Sequence, residues 1–282
     1  MPDGPSRHPT TRHYAGPHLA IGGVPIFSSG IEDTVALVIE RLRAGKTTRI
    51  ATANLDFLAL ARRIPQLRHD LLTCDLVVAD GAPVTWLAKL AGARGTGRIA
   101  GVDLVQAVCA AAGRDGGLRV ALYGSEEPVA AAAARYLEAS FAGVTVTAQI
   151  CPPFRCLTPA EHAADVARLR ESNADVVLVA LGCPAQERFA ADVAALLPGK
   201  VWIGVGGSFD FFAGRRRRAP RMAQRLGLEW VVRLTQEPRR LAGRYLLRDA
   251  PEFARLAPGV LFERVAFGPR QAIATVVSPE AE

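Results

Sequence analysis

The sequence predicts an α/β fold, in which a core with a largely parallel sheet is followed by an arginine-rich helical appendage. Three observations support this prediction. From about residue 48 onward, short apolar segments alternate with stretches of helical periodicity. Most of the apolar segments are continuous, as is typical of strands that are covered on both faces. The third observation is a change of composition after residue 214, where arginines become frequent.

The predicted strands are short apolar segments rich in β-branched residues: Arg49–Ala53, Asp75–Asp80, Arg119–Gly124, Val144–Ile150, Asp175–Gly182 and Lys200–Gly206. The predicted helices lie between and after them: Leu55–Ile64, Pro83–Ala91, Val102–Ala112, Pro128–Phe141, Pro159–Glu171 and Gln186–Leu197. The start of the fifth helix is well marked. Thr158 is followed by Pro159 and Glu161, which are typical of the N-cap, the first and the third helical positions.

The chain divides into four predicted regions. Residues 1–18 contain no apolar core, so they do not resemble a secretory signal. Because they are rich in Pro and His, we expect a disordered leader. Residues 19–214 form the α/β domain, 215–250 the basic helical appendage and 251–282 a tail. No apolar run reaches the roughly 18 residues that a membrane crossing requires. We therefore expect a cytoplasmic protein.

Small and polar residues follow five of the predicted strands. The segments at these strand ends read "TAN", "ADG", "YGS", "GCPAQE" and "GGSFD". In open α/β sheets, ligands bind beyond the carboxyl ends of the strands. Glycines there allow the backbone to approach a ligand closely. Five such ends in one sheet predict a binding cleft.

Common cofactor and metal motifs are missing from the sequence. No G-x-G-x-x-G follows the first strand, and no G-x-x-x-x-G-K-[ST] occurs, which argues against nicotinamide and ATP chemistry. The sequence also contains no D-x-D pair and no zinc-type spacing among its five cysteines. A D-x-D pair usually holds the metal ion on the diphosphate of a nucleotide-sugar substrate. If such a substrate is used here, its leaving diphosphate would be stabilised by backbone N–H groups, helix N-termini and arginines.

Asp80 ends an apolar strand, and its role has two interpretations. Partial desolvation would raise the pKa of its carboxyl, and Gly81 would give access to it, as a general base requires. The alternative is that Asp80 caps the helix that begins near Pro83.

Positive charge is concentrated in the appendage. The segment from Arg215 to Arg248 holds eleven arginines and two acids, a net charge of +9, so that the other 248 residues sum to −2. Trp230 and Tyr245 lie among these arginines. Three interpretations remain open: binding of anionic lipid or lipid phosphate, binding of nucleic acid, and simple solvation.

A set of ordered motifs between about Ile21 and Arg248 resembles one family. The motifs are "GVPI", "TANLDFL", "VVADGAPVTW", "RIAGVDL", "GCPAQE", "GVGGSFDFFAG", "RAP", "LEWVVRL" and "EPRRLAGRYL". In this order they resemble the WecG/TagA/CpsF glycosyltransferases. The resemblance implies a Rossmann-like core and inverting transfer of a sugar from a UDP-sugar to a polyprenyl-diphosphate-linked acceptor. These reactions belong to bacterial surface polysaccharide synthesis at the inner face of the membrane.

The resemblance also implies roles for individual residues. Asp80 is the expected base, and Thr52 and Asn54 match a motif that lines the active site beside it. Arg98, Gln186 and Asp210 match positions in the substrate pocket. We expect five further residues to contribute to substrate binding: Gly81, Asp103, Gly182, Glu187 and Gly206. The arginines expected to meet lipid phosphate or the membrane are Arg218, Arg221, Arg225, Arg233, Arg240 and Arg244.

The expected partners follow from the same resemblance. They are a UDP-sugar donor, a polyprenyl-diphosphate-linked acceptor and an anionic membrane surface, and a homo-oligomer is possible. We expect no nucleic acid and no metal or other cofactor. Two alternatives stay open: a nucleic-acid-binding module on an inert α/β domain, and a transferase with a soluble acceptor.

Overall fold

The computed structural model describes residues 12–13, 17–114, 116–267 and 275–276. The side chains of Arg114, Arg221, Arg225 and Arg240, and those of residues 12–13 and 275–276, are outside this description. Most of the predicted leader and the end of the predicted tail therefore lie outside the described residues. So do the side chains of three predicted membrane-contacting arginines, Arg221, Arg225 and Arg240.

The chain before the main sheet forms small elements. They are β1 (Arg12–His13), β2 (His18–Ile21), β3 (Val24–Phe27) and α1 (Ile31–Arg43). Strands β2 and β3 form an antiparallel hairpin. Strand β1 pairs with the short segment Thr275–Val276, which is β10.

The main sheet has six strands, all parallel. They are β4 (Thr48–Ala53), β5 (Leu76–Ala79), β6 (Leu118–Gly124), β7 (Val144–Ile150), β8 (Val176–Ala180) and β9 (Val201–Gly204). The spatial order is β5-β4-β9-β8-β6-β7. The predicted α/β class with a largely parallel, Rossmann-like sheet is confirmed.

The helices associated with the sheet include counterparts of all six predicted ones, whereas the helices Pro65–Leu72 and Ser208–Phe212 were not predicted. The helices are α2 (Leu55–Arg63), α3 (Pro65–Leu72), α4 (Ala82–Leu90), α5 (Gly101–Arg114), α6 (Glu127–Ser140), α7 (Pro159–Glu171), α8 (Ala185–Ala194) and α9 (Ser208–Phe212). The predicted start of α7 is a capping box: Glu161 N donates to Thr158 Oγ1 (3.3 Å), and Thr158 N donates to Glu161 Oε2 (2.8 Å).

Both faces of the sheet are covered by apolar packing. Val78, Leu178 and Ile203 are buried on one face, in a cluster that includes residues of α1, α5, α6 and α9. Val77 and Trp202 are buried on the other face. This double burial explains why the strand sequences are continuously apolar.

After α9, the chain forms the appendage and then returns to the core. Its elements are α10 (Arg221–Arg225), α11 (Glu229–Gln236), α12 (Pro238–Arg244), a π-helical segment (Tyr245–Asp249) and α13 (Ala250–Phe267). Helix α13 lies beside α4, where Leu256 and Val260 are buried and Arg264 Nη1 donates to Leu90 O (3.1 Å). The beginning of the predicted tail is thus a helix packed on the core. Among the described residues, no helix has both the length and the apolar character needed to cross a bilayer.

Candidate active site

A cavity of about 290 Å³ lies between the carboxyl ends of β4 and β5 and the helices of the appendage. Its wall contains residues from both parts of the chain: Asn54, Leu55, Asp80, Gly81, Ala82, Pro83, Trp86 and Arg98 from the core, and Gly227, Glu229, Trp230, Arg233, Arg244, Tyr245, Asp249, Ala250 and Phe253 from the appendage and α13. The position agrees with the general rule for open parallel sheets.

Asp80 lines this cavity directly after β5. Its backbone N–H donates to Ala53 O (2.8 Å), which holds it beside the end of β4. Its carboxylate forms neither a hydrogen bond nor an ion pair with any residue that the structure describes, so it does not cap α4. Burial raises the pKa of this carboxyl, while Arg233, Arg98 and Arg244 act in the opposite direction. A free carboxylate with a raised pKa is suited to accept a proton.

Two glycines of the cavity wall adopt backbone conformations with positive φ. Gly81 has φ 110° and ψ 148°, a backbone conformation that is essentially restricted to glycine. Gly227 lies in the turn between α10 and α11 with φ 72°. A Cβ at Gly227 would be 2.8 Å from the Ala82 Cβ and 3.1 Å from Trp86. Glycine at position 227 therefore lets the appendage contact α4 directly.

Asn54 and Thr52 flank the cavity differently. Asn54 is the N-cap of α2, and its Oδ1 accepts from Asp56 N (3.0 Å) and Phe57 N (3.4 Å) while the residue lines the cavity. Thr52 is buried and its Oγ1 donates to Gly204 O on β9 (2.8 Å). This bond joins β4 to the neighbouring strand β9.

Arg98 is held at the cavity by the backbone of the next residue. Ile99 N donates to Ala79 O at the end of β5 (2.8 Å). Arg98 Nη1 donates to Glu229 Oε2, and its Nη2 lies 3.6 Å from Asp103 Oδ2. Arg233 Nε lies 3.6 Å from Glu229 Oε1. Two arginines of the cavity therefore share one carboxylate.

The third arginine of the cavity, Arg244, joins the appendage to α2. Its Nε lies 3.3 Å from Asp56 Oδ2 and 3.5 Å from Asp249 Oδ2. Arg248 adds a contact of 3.3 Å to Asp56 Oδ1. Burial raises the pKa of Asp249 to about 6, against the opposing effect of Arg244.

A second group of predicted residues lies at the ends of β8 and β9. Gln186 and Glu187 are buried, and Gln186 Nε2 donates to Glu187 Oε1 (2.7 Å). Gly206 N donates to Gln186 Oε1 (3.0 Å). Burial raises the pKa of Glu187 to about 7. Gly182, with φ 77°, precedes this group.

The run of four arginines after α9 is largely paired within the protein. Arg215 pairs with Glu126 (2.8 Å), and Arg216 Nε lies 3.3 Å from both Asp210 Oδ2 and Glu237 Oε1. The third, Arg217, is exposed. Arg218 Nη2 donates to Asp103 Oδ2 (2.9 Å) and to Gln224 Oε1 (3.1 Å). Arg215, Arg216 and Arg218 therefore anchor the start of the appendage.

The structure brings six of the predicted site residues into one cavity wall. They are Asn54, Asp80, Gly81, Arg98, Arg233 and Arg244. Eight others are not part of this wall: Thr52, Asp103, Gly182, Gln186, Glu187, Gly206, Asp210 and Arg218. Their roles stay predictions, as do the roles of the first six.

Sequence reasoning missed two aromatic residues of the wall, Trp86 and Phe253, and noted Trp230 and Tyr245 only as neighbours of the arginines in the appendage. Trp86 and Phe253 contact each other edge to face, with ring centroids 6.4 Å apart, and Trp230 and Tyr245 do the same at 5.9 Å. Trp86 lies at the end of the "VVADGAPVTW" motif, which was a usable signal. Phe253 lies in the segment predicted as a tail, so no signal pointed to it.

A family model for the WecG/TagA/CpsF glycosyl transferases matches residues 19–266. The chain belongs to this family. The protein is therefore a glycosyl transferase, and the resemblance seen in the sequence motifs is confirmed. The match extends through α11, α12 and nearly all of α13, so that the cavity of this transferase is built entirely from matched residues.

The described residues contain no group of three or more His, Cys, Asp and Glu side chains that could hold a metal ion. The expectation that the transferase needs no metal stays a prediction. The positively charged groups in the cavity wall are Arg98, Arg233 and Arg244.

Proposed function

We propose that this glycosyl transferase moves a hexosyl group from a UDP-sugar to a polyprenyl-diphosphate-linked saccharide, with inversion, in bacterial surface polysaccharide synthesis. The observation that supports the proposal best is the Asp80 carboxylate, which is unpaired among the described residues. It faces a cavity that combines arginines with aromatic rings, in a chain of a glycosyl transferase family.

In the proposed reaction, Asp80 accepts the proton of an acceptor hydroxyl group while that oxygen attacks the anomeric carbon of the donor. The new glycosidic bond forms as the bond between the anomeric carbon and the UDP oxygen breaks. UDP leaves with the electron pair of that bond from the opposite face, so that the configuration inverts. The proton remains on Asp80 until solvent removes it. A positioned base of this kind contributes about 10²–10⁴-fold to the rate.

The arginines of the cavity are suited to a diphosphate. Guanidinium groups form paired, charge-assisted hydrogen bonds with phosphate oxygens. Arg98, Arg233 and Arg244 line the cavity together with Asp80. We propose that they stabilise the negative charge that develops on the leaving UDP. The aromatic rings of Trp86, Trp230 and Tyr245 would provide apolar contact area for the acceptor.

The appendage is proposed to bring the transferase to the inner face of the plasma membrane. Near the cavity it exposes large apolar side chains, among them Leu246 and Leu247, which are 66% and 75% exposed. Apolar residues flanked by arginines are typical of a surface that binds anionic membranes. Self-association of the protein stays a prediction.

The proposed function is tested by a transfer assay that combines a panel of UDP-sugars with a polyprenyl-diphosphate-linked saccharide and reads the products by mass spectrometry. We expect one UDP-sugar to add a single hexosyl unit to the lipid-linked acceptor. Salt-dependent binding of DNA or RNA, without transfer from any UDP-sugar, would contradict the proposal and favour the nucleic-acid-binding alternative. Transfer only to a soluble saccharide would favour the soluble-acceptor alternative.

A further inference from the structure

Asp80 has no ion pair among the described residues, although three arginines share its cavity. Arg98, Arg233 and Arg244 all line the same wall as Asp80. A guanidinium close to a poorly solvated carboxylate would normally pair with it. Such a pair would neutralise Asp80 and compete with an acceptor hydroxyl group. Some other group must therefore hold these arginines.

Glu229 is that group for two of the three arginines. It is the first residue of α11 and is only 8% exposed, so its charge requires partners. Arg98 Nη1 donates to its Oε2, and Arg233 Nε lies 3.6 Å from its Oε1. Arg218 Nε lies 3.9 Å from the same oxygen. The third arginine of the cavity, Arg244, is held separately by Asp56 and Asp249.

The partners of Glu229 come from different parts of the chain. Arg98 precedes α5 in the core, Arg218 follows α9, and Arg233 is one turn further along α11. Asp103 extends the network, because Arg98 and Arg218 also contact its carboxylate at 3.6 and 2.9 Å. Two carboxylates thus fix three guanidinium groups at the junction of core and appendage.

We propose that Glu229 is a positioning residue that holds Arg98 and Arg233 away from Asp80 and so keeps the Asp80 carboxylate free to accept a proton. The proposal rests on the proposed function of Asp80 as the base. The charged groups that face Asp80 are Arg233, Arg98, Glu229, Arg244 and Arg218. Glu229 and the burial of Asp80 both raise the pKa of Asp80, whereas the arginines of the cavity lower it.

A purely structural role for Glu229 makes a different prediction. An acidic residue in the first turn of a helix stabilises the helix through its interaction with the helix dipole. Loss of this interaction alone would lower the melting temperature but would not bring an arginine to Asp80. The pH dependence of kcat/KM separates the two roles, because its acidic limb reports the ionisation of the base in the free enzyme.

The test compares Glu229→Gln, Glu229→Asp and the control Glu237→Gln in the full-length protein. Glu237 also pairs with an arginine of the appendage, Arg216, but does not line the cavity. We expect Glu229→Gln to displace the acidic limb to lower pH and to reduce kcat/KM at neutral pH by about 10- to 100-fold, because a released arginine pairs with Asp80. The loss should appear in kcat more than in KM. Glu229→Asp keeps the charge and should keep the limb in place, as should Glu237→Gln.

An acidic limb that stays at its wild-type position in Glu229→Gln, with only a lower melting temperature, would overturn the proposal. If Glu229→Gln does not fold, Glu229→Met is measured in its place, because it also removes the charge but keeps a side chain of similar length, and the same two outcomes decide. Asp80→Asn is measured in parallel. Full activity of Asp80→Asn would refute the proposed base itself. If Asp80→Asn is inactive and the acidic limb of Glu229→Gln stays at its wild-type position, only the proposed role of Glu229 is refuted.

Discussion

Asp80 combines two properties that rarely occur together in a stable protein. Its carboxylate is poorly solvated, which raises its pKa, yet it has no hydrogen-bonding partner among the described residues. A raised pKa means that ionisation of the carboxyl costs more free energy in the folded than in the unfolded protein, by about 1.4 kcal/mol per pKa unit. The site therefore reduces stability at neutral pH.

This cost can be measured with Asp80→Asn, which cannot ionise. Above the raised pKa, the wild-type protein carries the unfavourable charge, so we expect the variant to have the higher free energy of unfolding at pH 8. As the pH falls below the ordinary carboxyl pKa of 3.8, both states of the wild type become protonated and the difference disappears. Urea denaturation at pH 8 and at low pH provides the measurement. Asp192→Asn, at a surface ion pair, serves as the control. Equal stability of Asp80→Asn and wild type at pH 8 would show that Asp80 is not desolvated.

The location of Asp80 at the cavity could be predicted because a carboxylate that ends an apolar strand is recognisable from the neighbouring residues alone. Asn54 and Gly81 could be predicted for the same reason. Glu229 and Phe253 could not, because their relation to the cavity depends on how the appendage packs back on α4. That packing is determined by side-chain contacts between segments separated by more than 140 residues in the sequence.

Among the helices, α13 was not predicted, because its sequence was interpreted as a tail. The six strands of the main sheet and six of its helices were predictable from their periodicity, including the bounds of β7 and α7, but α1, α3 and α9 were not predicted either. Within α13, Pro258 and Gly259 interrupt the pattern as a turn would. Apolar residues nevertheless recur at helical spacing, at Phe253, Leu256 and Val260, and face the core. Burial against α4 offsets the cost of the Pro–Gly pair.

Helix α13 should therefore contribute to the stability of the whole domain. Leu256 is 6% exposed, whereas Leu261 on the same helix is 46% exposed. We expect Leu256→Ala to lower the free energy of unfolding by about 2–4 kcal/mol, as is usual for a buried leucine. Leu261→Ala makes the same chemical change at a more exposed position and should cost less than about 1 kcal/mol. Equal effects of the two substitutions in urea denaturation would show that α13 is not packed on the core.

At the scale of the whole molecule, charge and exposed apolar surface are unevenly distributed. The segment from Arg215 to Arg248 carries most of the positive charge, and many of its arginines pair with carboxylates of the protein. Leu246 and Leu247 are exposed on the π-helical segment that also contributes Tyr245 and Asp249 to the cavity wall. Phe262 and Val265 are exposed at the other end of α13, about 20 Å along the helix. If the membrane proposal is correct, the cavity faces the bilayer.

This orientation predicts different effects for two pairs of exposed apolar residues. Replacement of Leu246 and Leu247 by glutamate should weaken binding to vesicles that contain anionic lipid by at least about tenfold, because two leucines no longer enter the interface. Replacement of Phe262 and Val265 by glutamate should have little effect, although it introduces the same charge. Vesicle sedimentation measures both. Equal weakening by the two pairs would indicate a dependence on net charge alone and contradict the proposed orientation.

The proposed reaction requires the Asp80 carboxylate to accept the proton of the acceptor during sugar transfer. The most direct test is the rate of transfer by Asp80→Asn, with binding of UDP measured by calorimetry on the same preparation. We expect a loss of about 10²–10⁴-fold in kcat with binding of UDP retained. Transfer at a rate close to that of the wild type would show that Asp80 is not the base.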